Sequence, residues 1–138
     1  MEAKAAGFDN GIFIDEFGFV GESSNMNVAF VTADGVLRHP KFERVLPGCT
    51  VLRVLDLAKS IVGKGLITGV EVCDIPVANA RAAREMLLVG SSVKVAPIVE
   101  WDRAPIGAGT PGPVCAALRA LLEEDMRTGP RLIDLPVV

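Results

Sequence analysis

Residues 11–40 read "GIFIDEFGFVGESSNMNVAFVTADGVLRHP", and the way this stretch folds decides the architecture. "GIFID" (11–15), the turn "EFG" and then "FVGE" form a hairpin pattern of short β-rich runs around turn residues. "NVAFVT" (27–32) is joined to "VLRH" (36–39) through Asp34-Gly35, a dipeptide suited to a tight hairpin turn. Four strands therefore surround one polar run, "GESSNMN" (21–27), which has no proline and no glycine after Gly21 to help it bend. A polar segment placed between strands needs something to hold it, and Glu22 at the end of a strand needs a purpose.

Working outward, "VLRVLDLAKSIVGKG" carries apolar residues at Val51, Leu52, Leu55, Ala58, Ile61 and Val62, close to helical spacing. Thr50 is placed as its N-cap, and Gly63 and Gly65 close its end. "GVEVCDIPV" and "EMLLVGS" read as strands flanking a short helical "ANARAAR". "KVAPIVEWD" and "RAPIG" read as a further strand pair. "PVCAALRALLEEDM" (113–126) is a second amphipathic helix with Pro113 in its first turn. The prediction is a mixed α/β (α+β) domain over residues 1–129, one mixed sheet with flanking helices and no internal repeat, followed by a loosely packed tail at 130–138.

A chain of 138 residues fits one domain, long enough to bury about two thirds of the surface exposed by its unfolded form. Half of its residues are hydrophobic and the mean hydropathy is +0.41, a composition that hints at surface meant to be covered. The net charge of −3 arises from 17 acidic and 14 basic residues scattered along the chain. No basic stripe marks a nucleic-acid face and no acidic tail appears. Cys49, Cys73 and Cys115 are odd in number and widely spaced, so they read as buried reduced thiols of an intracellular protein. His39 stands alone beside Pro40 as a loop or strand-end residue and builds no metal site. No apolar run reaches the ~18 residues that span a bilayer. The first ten residues lack the character of a signal or transit peptide, so the expectation for this chain is cytoplasmic.

Three polar features stand out from this scaffold. Glu22 is followed by small polar residues that let a ligand approach. "LPGCT" (46–50) delivers the chain into a helix whose first N–H groups are unsatisfied and partly positive, an anion site by construction. "GSS" (90–92) offers further N–H and O–H donors. Each also has a plainer reading: a solvated strand-end carboxylate, an ordinary helix entry, a bulge or turn. Together they suit a ligand with a phosphate at one end and a cationic ring nitrogen at the other, and pyridoxal phosphate is such a ligand. A carboxylate beside the pyridine nitrogen favours its protonated form by charge pairing. "GAGTPG" (107–112) matches GxGxxG, but Pro111 removes a loop N–H and too little chain follows for a dinucleotide-binding unit, so it reads as a connector.

The quoted stretch, followed by "VLPGCTVLRVLDLA", "EMLLVGSSVKVAPIVEWD" and "PIGAGTPGPV" in that order and spacing, resembles the class IV pyridoxal-phosphate enzymes over residues 1 to about 129. That family includes branched-chain aminotransferases, D-amino-acid aminotransferases and aminodeoxychorismate lyases. "NMNVAFV…LPGCT" with "LLEEDMRTGP" looks most like the plant D-amino-acid-aminotransferase-like proteins. The resemblance implies the C-terminal domain of the D-amino-acid-aminotransferase-like fold, a mixed sheet or pseudo-barrel. It implies that Glu22 contacts the pyridine nitrogen, that Asn25 and Asn27 lie beside the ring, and that Cys49 and Thr50 bind the phosphate. Ser91 then contributes to the phosphate or the substrate carboxylate, and Ser92 to the carboxylate.

The family's Schiff-base lysine lies roughly thirty to thirty-five residues before the glutamate, and counting back from Glu22 passes Met1. Lys4 does not match that position, and Lys94 reads as a surface-facing strand residue. The expectation is a C-terminal, cofactor-binding part of a transaminase that exchanges an amino group between an amino acid and a 2-oxo acid, of D-amino-acid or branched-chain type. It would pair with itself or with a full-length relative, and the plastid is open to a full-length plant relative. An aminodeoxychorismate-lyase-like part and a non-catalytic remnant acting as a binding module remain the alternatives.

Overall fold

A computed structural model describes residues 2–129. After a short helix α1 (Glu2–Ala5), strands β1 (Ile12–Ile14) and β2 (Val20–Ser23) form an antiparallel hairpin of their own with an irregular register. Its turn is fixed by Asp15, whose Oδ1 accepts the Phe17 and Phe19 N–H groups at 2.9 Å each, and by Gly18 at φ +81°. The main sheet runs β5-β4-β3-β6-β7, with β3 (Asn27–Val31), β4 (Val36–Pro40), β5 (Gly69–Cys73), β6 (Glu85–Gly90) and β7 (Lys94–Ile98). Within it β4 and β5 are parallel, joined by helix α2 (Cys49–Lys59), as a crossover connection requires. The other pairings are antiparallel.

The central strands are buried on both faces. Ala29, Val31, Leu37, Leu87, Val89 and Val95 pack under α2 and the last helix, α4 (Pro113–Thr128). Val28, Phe30, Met86 and Leu88 face the other way, against Val20, Ile75, Ala80, Trp101 and Ile106. This explains why β3 and β6 read as continuous apolar runs instead of alternating ones. Helix α3 (Val77–Arg81) supplies Ala80 to the second layer. The mixed sheet with flanking helices agrees with the sequence, and the four strands over residues 11–40 fall where they were expected.

Several local expectations need correction. Thr50 is not an N-cap: Gly48 holds that position and Leu52 N–H bonds to its carbonyl at 3.1 Å, so Thr50 lies inside the first turn. Helix α2 ends at Lys59, capped at Ser60 by αR backbone, before Gly63 and Gly65 are reached. "KVAPIVEWD" is two strands, with β8 (Glu100–Trp101) pairing β9 (Ala104–Pro105) across Asp102 and Arg103, both at positive φ. His39 takes the strand-end alternative, next to last in β4, but is fully buried there and stacked on Phe42. Among the cysteines Cys115 is buried, Cys73 is half-buried and Cys49 is exposed at the start of α2. The expected loose tail at 130–138 lies outside the described residues.

Candidate functional site

The polar run between β2 and β3 and the entry to α2 meet at one residue, Leu46. Leu46 donates its N–H to Glu22 Oε2 at 3.2 Å, and its carbonyl accepts Asn27 Nδ2 at 2.9 Å and the Gly48 N–H at 2.9 Å. Glu22 is half-buried near the end of β2, while Asn27 is buried as the first residue of β3. The strands thus carry two polar side chains to the turn that precedes α2, which holds the polar run without any glycine or proline inside it.

That turn leads into an uncapped helix. No side chain bonds the first-turn amides of α2, so the helix presents unsatisfied N–H groups and the positive end of its dipole. Cys49 and Thr50 begin it. Ser91, in the turn between β6 and β7, lines the same cavity of ≈ 230 Å³ as Cys49 and Thr50. The register explains the approach: Asn27 pairs with Val89, one residue before Gly90. A Cβ at Gly90 would lie 2.9 Å from Met26 Cγ, so a glycine lets the β6–β7 turn close over this corner. Ser92 and Asn25 are exposed at the tips of their turns and do not line the cavity. The site residues named from sequence therefore fall into a Glu22–Asn27 pair at Leu46, a Cys49–Thr50–Ser91 group at the cavity, and two outlying positions.

Two cations at this cavity escaped the sequence reading. Arg53, three residues after Thr50 and so on the same helical face, bonds Asp125 through Nε at 2.8 Å and Nη2 at 2.5 Å, and Asp56 at 2.9 Å. The Arg53 guanidinium holds the Asp125 carboxyl below its ordinary range. Lys94 opens β7 with φ +60°, is half-buried and places Nζ 3.5 Å from Glu123. It is therefore a cavity-lining residue and not a plain outward strand position. Helical spacing from Thr50 was a usable signal for Arg53; Lys94 left none, because its left-handed backbone breaks strand alternation. A larger cleft of ≈ 740 Å³ lies between α1 and strands β6–β8 and contains none of the site residues.

No helix among the described residues is long and apolar enough to cross a membrane, and no group of metal-ligating side chains forms among them.

Comparison with known proteins gives a consistent result. The family model described as Amino-transferase class IV matches residues 1–101. The chain is 47% identical over 131 residues to the D-amino-acid transaminase, chloroplastic, of Arabidopsis thaliana, covering 94% of this chain and 35% of that protein. It is 32% identical to a branched-chain-amino-acid aminotransferase of Pseudomonas aeruginosa, covering 86% of this chain and 37% of that protein. Among solved structures, a T.th. branched-chain amino acid aminotransferase complexed with 4-methylvaleric acid superposes with TM-score 0.84 at 35% identity, covering 94% of this chain and 42% of that one. The same enzyme with pyridoxamine 5'-phosphate gives TM-score 0.81 at 36% identity, covering 90% and 39%. The chain spans about a third of the length of the curated relatives it matches.

Proposed function

The chain belongs to the class IV amino-transferase family, and on that premise we propose that it forms the pyridoxal-phosphate-binding part of a transaminase that moves an amino group between an amino acid and a 2-oxo acid. The observation that carries this reading is the convergence of Cys49, Thr50 and Ser91 on one cavity at the uncapped start of α2, with Glu22 tied to the same turn through Leu46. The 47% identity to a D-amino-acid transaminase favours D-amino acids over branched-chain ones as the substrate class.

The residues present fit such a cofactor. The first-turn amides of α2, with the Thr50 and Ser91 hydroxyls, would take the phosphate dianion by charge-assisted hydrogen bonds. Glu22 would hold the proton on the pyridine nitrogen by charge pairing. When bound, pyridoxal phosphate supplies the electron sink for the pair released at the α-carbon of the amino acid. Ser92, exposed on the turn beside Ser91 and outside the cavity lining, would orient a substrate carboxylate, and Asn25, likewise outside it, would lie beside the ring. No lysine of these 138 residues takes the covalent role in this reading: Lys94, the one at the cavity, is directed to Glu123.

The test is an NMR titration of the 138-residue chain with inorganic phosphate and with pyridoxal phosphate. Amides at 49–52 and at Ser91 shift, and Thr50→Ala weakens phosphate affinity by about three- to tenfold, the value of one or two lost donor contacts. Borohydride treatment of the pyridoxal-phosphate sample leaves no stoichiometric single-site adduct. Amides that stay still in a folded sample overturn the anion site, and a stoichiometric adduct mapped to Lys94 overturns the lysine assignment.

A further inference from the structure

Asn27 does not line the cavity that Cys49, Thr50 and Ser91 share. We infer that it is the positioning residue of the anion site: its buried amide grips the turn before α2 and thereby sets where the first helical N–H groups point. This inference rests on the anion-site reading above.

Asn27 Nδ2 donates to the Leu46 carbonyl at 2.9 Å across 19 residues of sequence, and the side chain is only 6% exposed. Its other amide atom lies against the helix start, since a Cβ on Gly48 would come 2.5 Å from Asn27 Oδ1. Gly48 has φ −58° and ψ 136°, a backbone conformation open to any L-residue. The glycine is therefore required by the space that Asn27 fills and not by its own dihedral angles. Because α2 has no side-chain cap, only the backbone bonds of Gly48 N–H to Leu46 and of Leu52 N–H to Gly48 act locally on its first turn. The holding contacts come from the strands: Asn27 on the Leu46 carbonyl and Glu22 on the Leu46 N–H. Asn27 also pairs with Val89, so one residue references the α2 turn to the β6–β7 turn that carries Ser91. A ligand phosphate between those turns would meet donors whose spacing is fixed by this clamp, which lowers the ordering cost of binding.

Asn27→Ala, Gly48→Ala and the double variant of the labelled chain distinguish the clamp from a ligand contact and from a general packing role. In the free protein, Asn27→Ala raises hydrogen exchange at the Leu46 and Gly48 amides by about tenfold while β3 and β6 amides keep their rates. Each single variant weakens inorganic phosphate by about tenfold. The double variant is no weaker than Asn27→Ala, because the new methyl enters the space the amide vacated. Unchanged exchange at Leu46 and Gly48, uniform acceleration through β3 and β6, or losses that add in the double variant would each overturn the inference. A wild-type chain that ignores phosphate refutes the anion-site reading and, with it, the functional part of this inference. The exchange data then decide separately whether the clamp itself exists.

Discussion

At the scale of single residues, His39 is the clearest case of environment overriding type. Its imidazole has no exposed surface, Nδ1 lies 2.7 Å from the Pro40 carbonyl and Nε2 has no partner. Burial drives its pKa down to about 4, opposed by the bond to Pro40 that favours the charged ring. Well above about 6.5 the ring is neutral in both folded and unfolded chains, and its titration adds no pH dependence to stability. As pH falls from about 6.5 towards 4 the unfolded chain takes the proton first, so stability declines. Below about 4 both states are charged and the loss stops. The full effect is about 3 kcal/mol, and His39→Gln flattens the decline between about pH 6.5 and 4.5 in urea melts followed by Trp101 fluorescence. A wild-type midpoint that is constant over that window refutes the neutral buried ring. The paired carboxylates Asp74 and Asp125, held low by Arg44 and Arg53, act at more acidic pH. Nothing in "RHPK" signalled this burial, because β4 owes its interior place to α2 and the long crossover. The same limit applied to Asn27, whose partner Leu46 is distant in sequence, whereas the carboxylate and donor-rich turns of the site were legible from residue type.

At the scale of elements, α2 and α4 show two answers to the same problem of open N-terminal amides. In α2 they are left free at a cavity. In α4 they are taken by Glu85, a buried residue of β6 whose Oε1 and Oε2 accept the Val114 and Cys115 N–H groups at 3.0 and 2.9 Å. A Cβ at Gly112 would fall inside that carboxyl group, and Gly112 has φ −99°, so space again dictates the glycine. Glu85→Ala should therefore cost about 2–4 kcal/mol in denaturant unfolding, since it orphans two buried donors. Glu85→Gln should cost less because one acceptor remains. Gly112→Ala should be destabilising in wild type and milder in the Glu85→Ala background; equal penalties in both would show that the contact is not what excludes a side chain. The periodicity of "PVCAALRALLEEDM" and its proline announced α4, but its cap was hidden because Glu85 reads as one more residue at the start of an apolar strand. Thr50 misled in the opposite direction. It is a favoured N-cap type, yet the Pro47-Gly48 turn starts α2 earlier and moves Thr50 inside it.

At the scale of the whole molecule, the two core layers close over the five-stranded sheet, but the separate β1–β2 hairpin does not finish burying its own apolar residues. Phe17 is 71% exposed, Phe13 63% and Ile14 44%, and Leu46 at the site turn is 73% exposed. The ≈ 740 Å³ cleft beside α1 adds a floor that includes Ile12, Leu88, Ile98 and Trp101. Large apolar side chains left exposed in this way favour association, and a net charge of −3 over 138 residues offers little repulsion against it. The high apolar fraction of the sequence already pointed to such a surface; which strand would carry it depended on the hairpin standing outside the main sheet. The purified chain is accordingly expected to show concentration-dependent association in sedimentation and to bind a hydrophobic dye. Phe13→Ser with Phe17→Ser should weaken both by removing exposed rings, at small cost to the fold because neither ring is in the core. If the double variant associates as strongly as the parent, the contact lies on another face, with the cleft or Leu46 as the next surface to change. A sharp monomer at high concentration without dye binding would show that the hairpin's exposed rings are tolerated in water, and that the domain stands alone.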